Sequence, residues 1–315
     1  MKTTQANSIT RTVSTLAIAL AASVVAPMAS HADNIFVSNG GNNTIEEFNS
    51  AGGPGTVFAS GGLMNNPNGL AFDSAGNLYV GNYTGNTIDK FTPGGVGSVF
   101  ATGLNVPYGM AFDSTGNLYV GNAGNNTINK ITPGGTVSLF ASTGVNYPVG
   151  MAFGTGGNLY VANYFDNTIE KFTPGGGGSV FATTGLNRPE GIAFDSAGNL
   201  FVANSVDHNV GTGFIEKYTP GGVGSVFASG LYFPEGIAFD SAGNLFATSR
   251  GDSNNLLYKF TPDGTESIFA TSGLSYPEFI AIQAAPEPST WALLGLGAVV
   301  FVVFRRRSVR SAQTH

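Results

Sequence analysis

The 315-residue chain has no cysteine and little charge, since Asp, Glu, Lys and Arg make up only 10% of it. Without cysteine, disulfide bonds are excluded, and the cellular compartment must be inferred from other features. Basic residues are especially scarce, with 7 against 18 acidic residues between Asp33 and Ala285. Because no basic patch exists to neutralise phosphates, the sequence predicts a protein that does not bind nucleic acid.

Histidine is also scarce, and His208 is the only one between the two terminal segments. It lies in a loop, Asn204 to Phe214, that is longer than its counterparts. No Ser-His pair and no group of histidines accompanies it, so nucleophilic and zinc chemistry lack their usual residues. His208 is therefore a catalytic candidate only by elimination.

Sustained helical periodicity is missing between the two ends, and a repeat takes its place. The Asn of a Gly-Asn-Leu turn marks the period, at Asn77, Asn117, Asn158, Asn199 and Asn244. The successive steps are 40, 41, 41 and 45 residues. A nearly constant period of this length indicates one supersecondary unit that is copied along the chain.

Each repeat contains four short apolar runs separated by turn residues. In one copy these runs are Gly109–Phe112, Leu118–Val120, Thr127–Ile131 and Val137–Phe140. Their β-branched and aromatic residues are typical of strands, and the Gly, Asp and Pro residues between them are typical of tight turns. Four antiparallel strands per repeat predict the blade of a β-propeller.

The two ends of the repeat region complete each other. Residues 34–39 and 44–48 match the second and third strands of a unit, and residues 277–282 supply the missing first strand. Five intact units and this split one make six blades. The sequence thus predicts an all-β, six-bladed propeller over residues 33–283, closed by a composite blade that leaves no unpaired ends.

The N-terminal segment, residues 1–32, has the pattern of a secretory signal peptide. Lys2 and Arg11 precede an apolar stretch from Val13 to Met28, and a small residue at each end of Ser30-His31-Ala32 suits cleavage after Ala32. An N-terminal membrane anchor is the alternative, which the early start of strands at Asn34 disfavours. The sequence predicts export.

The C-terminal segment, residues 284–315, combines three features in order. Its Pro-Glu-Pro motif precedes an apolar run that we expect to form a short helix, Ala292 to Phe304, and an arginine cluster follows; the motif residues are Pro286, Glu287, Pro288, Arg305, Arg306 and Arg307. With Trp291 included, the run would extend roughly 21 Å as a helix, which is short for a bilayer core of about 30 Å. A transient association with the inner membrane suits it better than a permanent anchor.

This tail resembles the PEP-CTERM sorting signal of Gram-negative bacteria. The resemblance covers about 25 residues and implies recognition by a membrane-embedded exosortase. It also implies removal of the tail and delivery to the cell surface or the extracellular matrix. It concerns the destination of the protein and leaves its activity open.

The blades themselves resemble NHL-type repeats. The shared signature is Pro-x-Gly-Ile-Ala-Phe-Asp-x-x-Gly-Asn-Leu, followed by Asn-Thr-Ile-x-Lys-Phe-Thr-Pro-Gly-Gly, over residues 34–282. The chain departs from the family pattern by having Asn where Asp is frequent, at Asn82, Asn122, Asn163 and Asn204. Similar six-bladed folds include gluconolactonase-like enzymes, streptogramin lyases that use a histidine, and NHL domains that only bind partners. Fold alone does not decide between them.

The most variable repeat position lies between the Pro and the Gly of the first strand. In propellers of this kind the first strand is innermost, so this position is expected at the mouth of the central channel. The six residues there are Asn68, Tyr108, Val149, Glu190, Glu235 and Glu278. Three successive blades thus direct a carboxylate toward one region.

Two interpretations of these carboxylates remain open. In gluconolactonase-like proteins, acidic and amide residues at comparable places hold a divalent metal, so the resemblance implies that Glu190, Glu235, Glu278 and Asn68 bind one. Oxygen-only ligands suit Ca²⁺ or another hard cation. Alternatively, the glutamates are solvated loop residues. Tyr108, Arg188 and Arg250 are further ligand-binding candidates; the two arginines would meet an anionic ligand or pair with Asp252 and Glu190.

Other repeated polar residues are assigned to structure. Asp73, Asp113, Asp195 and Asp240 begin the Asp-Ser-x-Gly-Asn turns and are expected to cap their own backbone. The Asn residues of Asn-Thr-Ile, namely Asn43, Asn86, Asn126 and Asn167, are expected to close the loop between the second and third strands.

The repeats are so alike that a binding module is the first interpretation. An exported, non-enzymatic propeller would bind a protein or polysaccharide ligand, whereas an enzyme needs one asymmetric site. The alternative is a metal-dependent hydrolase or lyase that uses the mouth carboxylates. Whether Glu190, Glu235 and Glu278 converge on one point distinguishes the two.

Overall fold

A computed structural model describes residues 33–206, 212–251 and 255–284. The predicted signal peptide, His208, Asp252 and the sorting tail with its expected helix lie outside these ranges. Within them, helical structure is limited to one short 3₁₀ turn, Thr155–Gly157. None of the helical structure in these three ranges is both long enough and apolar enough to span a bilayer.

The strands of the described ranges are short and follow the repeat. In chain order they are β1 (Asn34–Asn39), β2 (Thr44–Asn49), β3 (Thr56–Ser60), β4 (Pro67–Phe72), β5 (Leu78–Asn82), β6 (Thr87–Phe91), β7 (Gly97–Ala101), β8 (Pro107–Phe112), β9 (Leu118–Asn122), β10 (Thr127–Ile131), β11 (Val137–Ala141), β12 (Pro148–Phe153), β13 (Leu159–Asn163), β14 (Thr168–Phe172), β15 (Gly178–Ala182), β16 (Pro189–Phe194), β17 (Leu200–Asn204), β18 (Gly213–Tyr218), β19 (Gly224–Leu231), β20 (Pro234–Phe239), β21 (Leu245–Ser249), β22 (Leu256–Phe260), β23 (Glu266–Ala270) and β24 (Pro277–Gln283).

These strands form six antiparallel sheets of four strands each. Five sheets are continuous in sequence, from β4–β7 to β20–β23, and the sixth has the order β24-β1-β2-β3. In that composite blade Ile35 of β1 lies opposite Ile282 of β24. The inner strands β24, β4, β8, β12, β16 and β20 contact one another in a closed ring. The predicted six-bladed propeller with a composite blade is confirmed.

The Gly of the inner strand is explained by the close approach of neighbouring blades. A Cβ atom added to Gly109 would lie 1.7 Å from the carbonyl oxygen of Val149, and one added to Gly150 would lie 2.1 Å from that of Glu190. Such distances are far inside van der Waals contact. At Gly109 and Gly150 only glycine therefore allows the neighbouring inner strands to approach at this spacing.

The core lies between adjacent blades. An aromatic residue of each second strand packs edge-to-face between a Phe of its own outer strand and, in most blades, a Phe of the next inner strand. Tyr119, for example, contacts Phe140 and Phe153 with ring centroids 4.8 and 5.1 Å apart. The second strands are buried along their whole length, whereas the outer strands keep exposed aliphatic residues. The repeat thus encodes packing between blades as well as within them.

The turn that joins the first two strands is capped by its aspartate, as the sequence predicts. Asp113 Oδ1 accepts hydrogen bonds from the backbone N–H groups of Thr115 and Asn117, both at 2.9 Å, and Oδ2 accepts one from the Asn117 side chain. Asp73, Asp195 and Asp240 repeat the arrangement. These carboxylates have a structural role.

The Asn-Thr-Ile asparagines lie in the predicted loop but act between blades. Each has a positive φ, and its side-chain oxygen accepts a hydrogen bond from the backbone of the next blade. Asn126 Oδ1, for example, lies 2.8 Å from the N–H of Tyr147, and Asn167 Oδ1 lies 2.6 Å from that of Arg188. Tyr147 and Arg188 also have positive φ. The asparagines therefore hold strained residues that precede the inner-strand prolines.

Candidate functional site

The first residues of each inner strand are displaced by a β-bulge. In β16 and β17, Pro189 lies opposite Asn204 and Ile192 lies opposite Val202, so one extra residue is inserted on the inner strand. The same shift occurs in all six blades. A bulge redirects the side chains at that point. The six residues after the prolines form what we call the first ring: Asn68, Tyr108, Val149, Glu190, Glu235 and Glu278.

A second ring of residues surrounds the first at the same end of the channel. Its members follow the last residue of each second strand: Gly40, Tyr83, Ala123, Tyr164, Ser205 and Arg250. Each donates its backbone N–H to the carbonyl of the residue that precedes the inner-strand proline of its own blade, as Tyr164 does to Tyr147 at 3.2 Å and Arg250 to Phe233 at 3.1 Å. The backbone is therefore the same in all blades while the side chains differ.

These rings and their flanking loops enclose a cleft of about 440 Å³ at the channel mouth. Aromatic side chains form one half of it. Their rings make a continuous series of contacts, with centroids 4.7 to 6.1 Å apart, through Tyr83, Tyr108, Tyr147, Tyr164 and Phe165. The hydroxyl groups of Tyr83 and Tyr147 are 3.3 Å apart. This half presents apolar rings together with polar hydroxyl groups.

Glu190, Glu278 and Arg250 line the other half, and the buried Glu235 contacts this arginine. Arg250 Nη2 lies 3.2 Å from Glu235 Oε1, and Arg250 Nη1 lies 2.9 Å from Glu278 Oε1. Burial opposes the charge on the guanidinium, but the two carboxylates raise the pKa of Arg250 above its ordinary value. Arg250 therefore joins Glu235 and Glu278, whereas the sequence suggested Asp252 or Glu190 as its partners.

Glu190 belongs to the same group, but no basic side chain within residues 33–206, 212–251 and 255–284 lies within salt-bridge distance of it. Its Oε1 accepts a hydrogen bond of 3.4 Å from the Ser205 hydroxyl. Burial raises the pKa of Glu190 well above its ordinary value, and the charges of Glu235 and Glu278 raise it further. For the same reasons, burial first and then the charge of Glu278, the pKa of Glu235 is raised to about 8. Burial also raises the pKa of Glu278, although Arg250 opposes this.

Four oxygen atoms of this half are buried without a hydrogen-bond partner. They are the Oε2 atoms of Glu190, Glu235 and Glu278 and the Oδ1 atom of Asn68. All four residues are at least 94% buried. A buried acceptor without a donor is costly and is therefore a sign of a missing ligand or water. The alternative interpretation of the glutamates as solvated loop residues is wrong for this arrangement, because their carboxylates are buried.

The same oxygen atoms have only part of what a metal site requires. The oxygen donors match the preference of a hard cation. However, the guanidinium of Arg250 occupies the point on which Glu235 and Glu278 converge. Across the described ranges, no group of three or more His, Asp or Glu side chains is arranged to hold a metal ion. Binding of Ca²⁺ by Glu190, Glu235, Glu278 and Asn68 stays a prediction.

The remaining predicted residues have distinct positions. Tyr108 and Asn68 line the cleft, while Val149 is fully buried beneath it. The guanidinium of Arg188 lies 5.8 Å from the ring centroid of Tyr164 and so extends along the aromatic half. His208 lies outside the described residues, and its catalytic role stays a prediction.

Phe279 is a residue of the site that the sequence reasoning missed. It stands where the other five inner strands have Gly, and its ring contacts Tyr108 at 5.6 Å between centroids. Ser38 supports this bulge by accepting a hydrogen bond from the Phe279 backbone N–H at 2.9 Å and donating one to the Asn68 carbonyl at 2.6 Å. The signal was visible in the sequence, because Pro-Glu-Phe breaks the Pro-x-Gly pattern.

Comparison with known proteins supports the C-terminal sorting motif and the fold separately. Residues 284–307 match the family model of the PEP-CTERM protein-sorting motif. This match indicates an exported protein that is sorted by an exosortase. No curated protein sequence matches the chain. The NHL-type resemblance of the blades stays a resemblance of sequence, since the matched model covers only the tail.

Solved propellers resemble the described structure at low sequence identity. A chain of the nidogen/laminin complex has 19% identity and a TM-score of 0.68, over 80% of this chain and 98% of that one. Virginiamycin B lyase from Staphylococcus aureus, solved as an inactive variant with quinupristin, has 18% identity and a TM-score of 0.60, over 81% and 94%. A protein of unknown function from Bacteroides caccae has 14% identity and a TM-score of 0.62, over 81% and 100%. At such identities only the fold is shared. The chain is thus a six-bladed β-propeller that carries a PEP-CTERM protein-sorting motif.

Proposed function

We propose that this protein is an exported binding module of the cell surface or extracellular matrix. Its ligand, a protein or polysaccharide, inserts a polar group into the cleft at the channel mouth. The observation that carries the proposal is the set of four buried oxygen atoms without donors, beside a wall of five aromatic rings. Ligand sites combine apolar walls with a few convergent polar groups in this way.

The positions at which the blades differ in sequence also point to the channel mouth as the binding site. Blade packing, turn capping and inter-blade hydrogen bonds repeat around the ring, whereas the two rings at the mouth change from blade to blade. A scaffold with this property supplies a rigid frame, and function is expected where the repeated pattern is broken.

A solid-phase binding assay tests the proposal. The purified protein is applied to panels of polysaccharides and peptides, and the retained amount is measured for the wild type and two variants. Phe165→Ala removes a ring at the rim of the cleft, and Leu139→Ala removes an equally exposed side chain from an outer strand; the exposures are 63% and 62%. We expect Phe165→Ala to weaken binding about tenfold, which corresponds to about 1.4 kcal/mol, and Leu139→Ala to leave it unchanged.

Two results of this assay contradict the proposal. The first is a failure of the wild type to bind any member of either panel. The second is an equal effect of the two substitutions, which would place the ligand away from the channel mouth.

A metal-dependent hydrolase or lyase is the second candidate function. The observation that favours it is the raised pKa of Glu235, about 8, together with that of Glu190. Carboxyl groups that titrate near neutral pH suit general acid–base catalysis. Calorimetric titration with Ca²⁺ tests the metal requirement on the wild type and on Glu235→Gln. Binding that the variant loses supports this candidate, and lack of binding by both contradicts it.

A further inference from the structure

The chemistry of the cleft restricts the ligand further than the proposed function does, and the inference rests on that function. We infer that the group inserted at the channel mouth is the ammonium group of an amino sugar. The juxtaposition of donor-free carboxylate oxygens with hydroxyl-bearing aromatic rings in one cleft carries this inference.

The buried oxygens determine the hydrogen-bonding character of the ligand. Glu190, Glu278 and Asn68 line the cleft, and each has one buried oxygen that receives no hydrogen bond. An ionised carboxylate and an amide oxygen only accept hydrogen bonds, so a ligand that complements the ionised glutamates donates them. Burial raises the pKa of Glu190 and Glu278, and a bound cation lowers it again by favouring the ionised form. An ammonium group offers three donors and no acceptor.

The charges at the mouth determine the sign of the charge that the ligand carries. The first ring contributes three carboxylates, and Arg250 is shared between Glu235 and Glu278 through their Oε1 atoms. Glu190 has only the Ser205 hydroxyl as a partner among the contacts described. A carboxylate or phosphate group would face these acceptors without a proton to offer. The earlier suggestion of an anionic ligand at Arg250 therefore loses its support.

The aromatic half is compatible with a cation and with a sugar ring. Tyrosine rings attract cations through their faces, and Arg188 already lies over Tyr164 at 5.8 Å. The hydroxyl groups of Tyr83 and Tyr147 and the amide of Asn66 stand at the same wall. A sugar presents an apolar C–H face and polar hydroxyl edges, and it matches this combination better than the aliphatic chain of a lysine residue does.

The experiment compares two oligosaccharides whose sugar units carry a cationic amine in one and a neutral acetamide in the other. Isothermal titration calorimetry is performed with the trimer of glucosamine and with the trimer of N-acetylglucosamine, at a pH at which the free amine is protonated. We expect the cationic trimer to bind at least about tenfold more tightly, since a hydrogen bond to a charged group contributes about 1.5–3 kcal/mol. This comparison uses the wild-type protein and needs no variant.

Matched variants locate the effect. Glu190→Gln retains the shape of the side chain and removes its charge, whereas Glu266→Gln makes the same change at an exposed position of an outer strand. We expect Glu190→Gln to weaken binding of the cationic trimer about tenfold and to change binding of the neutral trimer little. Glu266→Gln is expected to behave as the wild type.

Each alternative outcome has a defined meaning. Equal binding of the two trimers overturns the ammonium inference but leaves the proposed function intact. Binding of a lysine-bearing peptide without binding of either trimer overturns the assignment to a sugar. If no oligosaccharide or peptide binds, both the inference and the proposed function are overturned.

Discussion

The two ends of the propeller treat their carboxylates in opposite ways. At the end that carries the Asp-Ser-x-Gly-Asn turns, Asp113 accepts hydrogen bonds from two backbone N–H groups and one amide side chain. At the channel mouth, Glu190 has one weak partner, and its Oε2 has none. Carboxylates such as Asp113 therefore stabilise the fold. Carboxylates such as Glu190 are instead kept buried by the fold without satisfying hydrogen bonds.

The pKa values show the same contrast. Burial raises the pKa of Asp113 to some extent, but the hydrogen bonds from Asn117 and Thr115 outweigh it and lower the pKa overall. For Glu190 and Glu235 burial dominates, and the neighbouring carboxylates add to it. A repeated fold thus supplies the stability that allows one end to keep unsatisfied groups.

The largest expected effect comes from removing the cation of the mouth. Arg250→Met leaves Glu235 and Glu278 buried without their partner, and such losses cost about 3–5 kcal/mol. We expect this loss in the free energy of unfolding above pH 8, and a smaller one near pH 5, where the carboxyls take up protons. Urea denaturation at the two pH values measures it, with Arg250→Lys as a control that keeps the charge. A loss below about 1 kcal/mol at both pH values would contradict the account.

The next effect is a dependence of stability on pH. Because the folded pKa of Glu235 is about 8, above the ordinary value of 4.5, the folded state binds more protons than the unfolded state between these values. The free energy of unfolding must therefore fall as pH rises from about 5 to about 8, at about 1.4 kcal/mol per unit of pKa difference when a site acts alone. We expect a fall of a few kcal/mol.

Two substitutions sharpen this pH prediction. Glu235→Gln removes a titrating group of the mouth and should flatten the dependence, whereas Glu266→Gln should preserve it, because Glu266 is exposed. Thermal unfolding across the pH range provides the measurement. A wild-type curve that is flat between pH 5 and 8 is the outcome that the account excludes.

A moderate effect is expected at the turn end. Asp113→Ala removes a cap with several hydrogen bonds and should lower the free energy of unfolding by about 1–2 kcal/mol, as for other capping side chains. Asp113→Asn keeps an acceptor oxygen and should lose less. The effect is limited because the blade of β12–β15 forms this turn with Gly154 in place of the aspartate. Chemical denaturation measures the free energy of unfolding of both variants. An equal loss in Asp113→Ala and Asp113→Asn would show that the acceptor oxygen of the cap does not contribute.

The smallest effect is expected for Lys130, the β10 residue that pairs with the aspartate of the same turn. Lys130 Nζ lies 3.9 Å from Asp113 Oδ2, and 35% of the Lys130 side chain is exposed. Exposed ion pairs contribute about 0–1 kcal/mol. Lys130→Met should therefore change the free energy of unfolding by no more than about 0.5 kcal/mol. A loss as large as that of Arg250→Met would remove the distinction between the two ends.

The repeat allowed most of the fold to be predicted. Its period, its turns and the split between residues 277–282 and 34–39 predicted six blades and a composite closure. The role of Asp113 and its counterparts followed from local turn chemistry. These features depend on contacts that are near in sequence or recur in every copy, so a single sequence contains them several times.

The candidate site was predictable only in part. The first ring followed from the fold, which placed Glu190, Glu235 and Glu278 at the mouth. The partners of Arg250 were not predictable, because they depend on how two adjacent blades meet at the channel mouth. Apart from Arg250, the second ring was missed, because residues such as Tyr83 and Tyr164 follow a repeated Asn and look like ordinary loop positions. Their variation from blade to blade was the available signal.

The most direct test is a ¹³C NMR titration of the side-chain carboxyl groups in the purified protein. Our account predicts that Glu190, Glu235 and Glu278 titrate above the ordinary value of 4.5, with Glu235 near 8, while Asp73 and Asp113 titrate below 3.8. Ordinary values for all three mouth glutamates would contradict it. In that case the mouth would be solvated, and its carboxylates would be no different from those of an exposed loop.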